Sequence, residues 1–215
     1  MTKAELKKYF DEVAPQRDAW KRRNRYYYQE LESLCRFFIP PDRTVLEIGC
    51  GTGGTAIGHA PFVRHIRAVD FSERMLEIAR ERASAAGIEN VSFEQADITA
   101  LSTPDEAYDI VLGLSILHLL KDPDMVIDRV FGMLKSGGRF VTSTACLGDT
   151  MKLFELIAPV GRALGLLPQL NVMTTEQLVA KFRNAGFEIA HQWQPGRGKA
   201  VFVVAQKPEA TASAE

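Results

Sequence analysis

Three carboxylates and a run of glycines are the residues whose types and spacing point to chemistry. The run is VLEIGCGTGG, Val45 to Gly54, with four glycines in six positions directly behind a short apolar stretch. Glycine loses much conformational entropy on folding, so such density marks a tight turn or a ligand approaching the backbone closely. Behind a strand and before a helix, it presents backbone N–H groups and a positive helix end to an anionic ligand. Gly49, Gly51 and Gly54 match the GxGxxG spacing of dinucleotide sites, and Asp70 matches the acid such sites place on a ribose about 20 residues later. That spacing admits NAD or another adenosine-containing cofactor. No Gly-Lys-Ser/Thr follows, which excludes a P-loop. Glu47, two positions before the first glycine, would repel a pyrophosphate and suits a ligand carrying positive charge. Asp97 closes a third apolar segment, where the adenine half of a ligand lying across a sheet would reach. The Tyr-x-x-x-Lys pair of short-chain dehydrogenases does not occur. Three carboxylates around one crevice favour a cationic, non-phosphorylated nucleoside.

The elements that must position these residues are legible between Thr44 and Pro208. TVLEI, HIRAVD, VSFEQAD, YDIVLGLS and GRFVTSTA read as strands. SERMLEIARERASAAG reads as a helix with Ser72 as N-cap, an apolar stripe of Met75, Leu76, Ile78 and Ala79, and a stop at Gly87. DPDMVIDRVFGMLKSGG supplies a helix from Asp122 to a stop at Gly137 and Gly138. Strands joined by helices imply βαβ crossovers and a parallel sheet covered on both faces. The last part breaks that rhythm: a helix with a Thr174–Gln177 capping box precedes EIAHQWQ and AVFVVAQK, which only PGRGK separates. So short a Pro/Gly loop predicts an antiparallel hairpin at the sheet edge.

Two appendages flank this core. Residues 1–40 read as helical, and residues 149–172 as an apolar insertion after the fifth strand; both are expected to act as lids over a domain spanning 41–208. The tail 209–215 is small and polar and is expected to be disordered. A net charge of −1 argues against a surface built for nucleic acid. Cys35, Cys50 and Cys146 are far apart and odd in number, so they read as reduced thiols, with neither a disulfide framework nor a metal site expected. No apolar run is long enough to span a bilayer, and the N-terminus has no signal-like segment, so a cytoplasmic protein is expected. WKRRNR, Trp20 to Arg25, reads as a solvated face, with peripheral membrane contact as its other use.

Taken together and in order, VLEIGCGTGG, AVDFSERMLEIAR, FEQADITALSTPDEAYDIVLGLSILHLL and LKSGGRFVTS resemble the class I S-adenosylmethionine-dependent methyltransferases. The likeness is nearest to the group acting on small molecules such as quinone precursors and covers roughly Val45 to Lys207. It implies a Rossmann-like, doubly wound α/β fold with seven mostly parallel strands. It also implies that Glu47, Gly49, Cys50 and Gly51 line the methionine end and that Asp70 grips both ribose hydroxyls. Phe71 would pack on the adenine, with Met75 in the same lining. Asp97 would accept from the adenine amino group, the Ile98 N–H would reach a ring nitrogen, and carbonyls near Gly113 and Leu114 would receive the ammonium. Tyr9 and Phe10, in KKYFDEVAP, resemble a segment that folds over the cofactor; Met151 and Phe154 would close the acceptor side.

The expected reaction is in-line methyl transfer from S-adenosylmethionine to an O, N or C nucleophile of a small molecule, leaving S-adenosylhomocysteine. His118, in ILHLL beyond the fourth strand, is the best-placed candidate base, though a histidine flanked by leucines is more often a hydrogen-bonded packing residue. RNA or protein methylation and non-catalytic cofactor binding are the alternatives.

Overall fold

The computed structural model describes residues 3–16, 25–149 and 171–210. Seven strands form a mixed sheet in the order β3-β2-β1-β4-β5-β7-β6. The chain divides into two compact units, Met1–Leu101 and Ser102–Glu215.

The first unit contains α1 (Lys3–Val13), α2 (Arg25–Phe38), β1 (Thr44–Ile48), α3 (Gly54–His59), β2 (His65–Asp70), α4 (Glu73–Ala85) and β3 (Val91–Gln95). β1 runs parallel to β2 with Glu47 opposite Ala68, and β2 runs parallel to β3 with Asp70 opposite Gln95. Val45, Leu46, Glu47 and Ile48 are all buried, so β1 is covered on both faces and is buried without alternation, with Glu47 the one charged residue of the run. Ser72 caps α4 by accepting from the Met75 N–H at 3.2 Å, as its sequence implies. The buried stripe of α4 is Met75, Leu76, Ala79 and Ala83. Ile78 lies at its margin, half-buried, because the stripe follows i, i+4 and i+8 spacing. Gly87 follows in the left-handed region at φ 64°.

The second unit contains β4 (Tyr108–Leu114), α5 (Pro123–Met133), β5 (Leu134–Thr144), α6 (Thr175–Asn184), β6 (Glu188–Trp193) and β7 (Val201–Gln206). β4 and β5 are parallel; β7 is antiparallel to both β5 and β6, giving the expected edge hairpin. The Thr174–Gln177 box is complete at the start of α6, with hydrogen bonds of 3.1 and 2.8 Å. Phe140 packs edge-on against Phe182 at 5.7 Å, and Phe131 against Phe187 at 5.0 Å, building the core between sheet and helices.

The predicted end of α5 is corrected. The helix stops at Met133, before Gly137 and Gly138, and Leu134 is already extended and paired with Tyr108. The glycines instead serve an irregularity inside β5. Gly137 has φ 72°, and a Cβ at Gly138 would lie 2.8 Å from the Lys135 carbonyl. Cys35, Cys50 and Cys146 are buried thiols outside any disulfide. Residues 150–170, with the predicted lid residues Met151 and Phe154, lie outside the described residues, as do Trp20 and residues 211–215. Among the described residues no helix is long and apolar enough to cross a membrane.

Candidate cofactor site

The carboxyl ends of β1 and β2 bring together most of the residues singled out from the sequence. Asp70 ends β2 and is only 7% exposed. Its Oδ2 accepts from the Gly51 N–H at 2.8 Å and its Oδ1 from the Ser72 N–H at 2.9 Å. Two backbone donors fix the orientation of the carboxylate at the end of β2.

The glycine loop is pinned from the inside. The Gly49 and Cys50 N–H groups both donate to the Val69 carbonyl, at 2.8 and 3.1 Å, and the Gly53 N–H donates to the Cys50 carbonyl at 3.1 Å. With Gly51 bound to Asp70, four amides of the loop are engaged within the fold. The expectation that the loop turns its N–H groups outward to an anion is therefore corrected: the strand-end turn needs these amides for its own shape. A diphosphate would lose the cradle that defines its usual sites, and α3, at six residues, is too short to replace it.

Which glycines matter also differs from the GxGxxG reading. Left-handed φ values occur at Gly49 (72°), Gly51 (53°) and Gly53 (73°), while Gly54 begins α3. A Cβ at Gly53 would come within 2.8 Å of the Ala79 Cβ and 3.0 Å of the Phe93 ring. At Gly51 a Cβ would meet, among the described residues and apart from its chain neighbours, nothing within 4 Å. Gly53 faces packed protein, and Gly51 faces open space beside Asp70. Gly53 was missed because the motif spacing directs attention to Gly54; the helix entering one residue later is what requires it.

Glu47 is buried on β1 at 2% exposure. Burial pushes the Cys35 thiol far above its ordinary value, and the negative charges of Glu47 and Glu32 raise it further, so Cys35 stays protonated beside the carboxylate. Phe71 follows Asp70 and is half-buried, and Met75 is buried on the first turn of α4. Asp97 lies two residues beyond β3 rather than on it. Its Oδ1 accepts from the Thr99 N–H at 2.9 Å and the Thr99 hydroxyl at 2.7 Å, an Asx-type turn that fixes the carboxylate and precedes buried Ile98. From α1, Phe10 meets Phe71 edge-on at 5.6 Å, and Tyr9 stands 52% exposed beside it. The donor set thus comprises buried or fixed carboxylates, one aromatic face and open space at Gly51. Such a set suits a nucleoside with hydroxyls and a positive charge.

In the second unit, Gly113 and Leu114 end β4. A Cβ at Gly113 would lie 2.9 Å from the Phe140 ring, which explains the glycine there. Ser115 next to them adopts φ 60°, uncommon for a residue with a side chain, and its N–H donates to the Ser143 carbonyl at 2.7 Å. His118 sits on the 3-10 turn Leu117–Leu119, and its Nδ1 accepts from the Ala145 N–H at 3.4 Å. His191 is on β6, within the edge hairpin. Among the described residues no cluster of three metal-ligating side chains occurs.

A profile described as a methyltransferase domain matches residues 39–205. A malonyl-(acyl-carrier protein) O-methyltransferase of Paenibacillus sp. is 30% identical over 151 residues, 66% of this chain and 54% of its own length. A demethylmenaquinone methyltransferase of Clavibacter sepedonicus is 37% identical over 97 residues, 45% of this chain and 39% of its own length. The chain spans about half or less of the length of such curated relatives. The crystal structure of the YcgJ protein from Bacillus subtilis superimposes with a TM-score of 0.71 at 20% identity, covering 85% of this chain and 100% of that one. That likeness shows the shared Rossmann-like fold.

Proposed function

We propose that this chain, which belongs to the methyltransferase-domain family, transfers a methyl group from S-adenosylmethionine to a small-molecule acceptor. The observation that supports this most is Asp70: a buried carboxylate at the end of β2, held by two backbone N–H groups beside the open space at Gly51.

Asp70 binds the two ribose hydroxyls. Phe71 packs on the adenine, Asp97 accepts from its amino group and the Ile98 N–H donates to a ring nitrogen, while Met75 stays in the buried stripe of α4 behind them. Glu47, Gly49, Cys50 and Gly51 border the methionine end, and the carbonyls near Gly113 and Leu114 accept from the ammonium. When bound, S-adenosylmethionine supplies an electrophilic methyl group on a sulfonium sulfur. The chain's part is then to align a nucleophile behind that methyl and exclude water, and alignment alone is worth on the order of 7 kcal/mol of barrier. An acceptor such as a phenol, an amine or an acidic carbon also needs a base. His118 is the candidate for that role: with Nδ1 accepting from the Ala145 N–H at 3.4 Å, the neutral ring carries its proton on Nε2, so Nδ1 is the nitrogen able to take up a proton, at the expense of that contact.

A small acceptor is supported by the net charge of −1, by the apolar GLSILHLL segment after β4, and by likeness to a methyltransferase named for a menaquinone precursor. The test is to incubate the protein with methyl-labelled cofactor and a fractionated metabolite extract, then find the label by mass spectrometry. Label is expected in the low-mass fraction, unaffected by nuclease or protease treatment. Label confined to a nuclease- or protease-sensitive fraction would replace the small molecule with RNA or protein.

A further inference from the structure

We infer that Asp11 is a positioning residue that fastens α1 over the Asp70–Phe71–Ser72 corner, so that this helix governs how quickly an adenosine-bearing ligand leaves. The inference rests on the proposed assignment of that corner to the adenosine half of the cofactor. It goes further in naming the contact that holds the helix there.

Three contacts define the fastening. The Phe10 ring meets Phe71 edge-on at 5.6 Å. The Ser72 hydroxyl donates to Asp11 Oδ1. Lys7, one turn earlier on α1, donates to Asp11 Oδ2 at 2.8 Å and holds the carboxylate in the rotamer that reaches Ser72. Ser72 passes the contact inward. Its hydroxyl also accepts from the Met75 N–H, and its own N–H donates to Asp70 Oδ1, whose partner oxygen holds Gly51. A continuous hydrogen-bonded path runs from α1 through Ser72 to the ribose-binding carboxylate and the glycine loop.

The ring contact alone would let the helix slide, because apolar packing is not directional. The carboxylate supplies direction and charge. Burial pushes the Asp11 carboxyl up, but the hydrogen bonds from Lys7 and Ser72, with the Lys7 charge, outweigh it and hold the group below its ordinary value. At neutral pH Asp11 is therefore ionised and accepts from both partners.

Ser72 also caps α4, so replacing it would confound two effects; Asp11 variants separate them. Association and dissociation of S-adenosylhomocysteine are followed by surface plasmon resonance for the wild type, Asp11→Ala, Asp11→Asn and Asp11→Glu. Dissociation from Asp11→Ala should be roughly tenfold faster, with association unchanged. Asp11→Asn, which keeps an acceptor for Ser72 but loses the pairing with Lys7, should fall between. Asp11→Glu should restore most of the wild-type rate. The fastening is also read without ligand, by amide hydrogen exchange along α1, which should be roughly fivefold faster in Asp11→Ala while the melting temperature barely moves. Equal dissociation rates, or faster association with unchanged dissociation, would overturn the inference. Failure of the wild type to bind S-adenosylhomocysteine, with α1 exchange still dependent on Asp11, would instead overturn the assignment of the corner.

Discussion

Replacing Gly53 and Gly51 separately by alanine divides the loop's structural work from its binding work. At Gly53 the backbone has φ 73°, and the added methyl would stand 2.8 Å from the Ala79 Cβ and 3.0 Å from the Phe93 ring. The left-handed conformation costs a residue with a side chain about 1–2 kcal/mol, and forcing a methyl into packed surroundings adds about 1–3 kcal/mol. Gly53→Ala should therefore lose about 2–5 kcal/mol, a fall in melting temperature of roughly 10 °C for a chain of this size. At Gly51 the backbone is also left-handed, at φ 53°, but among the described residues nothing beyond its own chain neighbours lies within 4 Å of the added methyl. Gly51→Ala should lose only the conformational part, about 1–2 kcal/mol, while its methyl occupies the space assigned to the cofactor. Urea denaturation gives the stabilities, and calorimetric titration with S-adenosylhomocysteine gives the affinities. The reasoning fails if the two variants lose equal stability, or if Gly51→Ala binds like the wild type.

Asp70→Ala should weaken S-adenosylhomocysteine binding by about 2 kcal/mol through loss of charge-assisted hydrogen bonds to two hydroxyls, and unchanged calorimetric affinity would refute the ribose assignment. His118→Ala should lower turnover of an identified acceptor by roughly a hundredfold or more with little change in cofactor affinity; a pH–rate profile identical to the wild type would remove the base. His59 is buried at 2% exposure, and its Nδ1 donates to the Thr55 carbonyl at 2.9 Å. Burial lowers its pKa, with nearby Glu32 favouring and Arg36 opposing the charged form. The folded state thus binds its proton less readily than the unfolded chain. Stability from this group is complete above the ordinary value near 6.5 and declines as pH falls below it. Unfolding free energy measured between pH 7 and 5 should fall, and the slope should flatten in His59→Leu.

Much of the fold is legible because its strands are short apolar runs bounded by glycine, proline and acidic residues. TVLEI and HIRAVD match β1 and β2 end to end, and the hairpin follows from the brevity of PGRGK. The end of α5 is misread because Gly137 and Gly138 look like a helix stop, whereas pairing of Leu134 with Tyr108 ends the helix earlier. Tertiary pairing overrides the local signal there. In the candidate site, residue types announce Asp70, Glu47 and the glycines, but not which amides turn inward, since that depends on where the Val69 carbonyl lies. Asp11 carries no local signal at all, because its partner Ser72 is 61 residues away and an acid on an amphipathic helix ordinarily faces water.

The inward-turned amides of residues 49, 50, 51 and 53 carry a thermodynamic consequence. A loop rich in glycine normally forfeits its freedom when a guest arrives; here that freedom is surrendered as the chain folds, once in the lifetime of each molecule. Under the proposed activity each round of nucleoside capture then begins from a rim already set, and its heat and entropy should report chiefly on the guest and on α1.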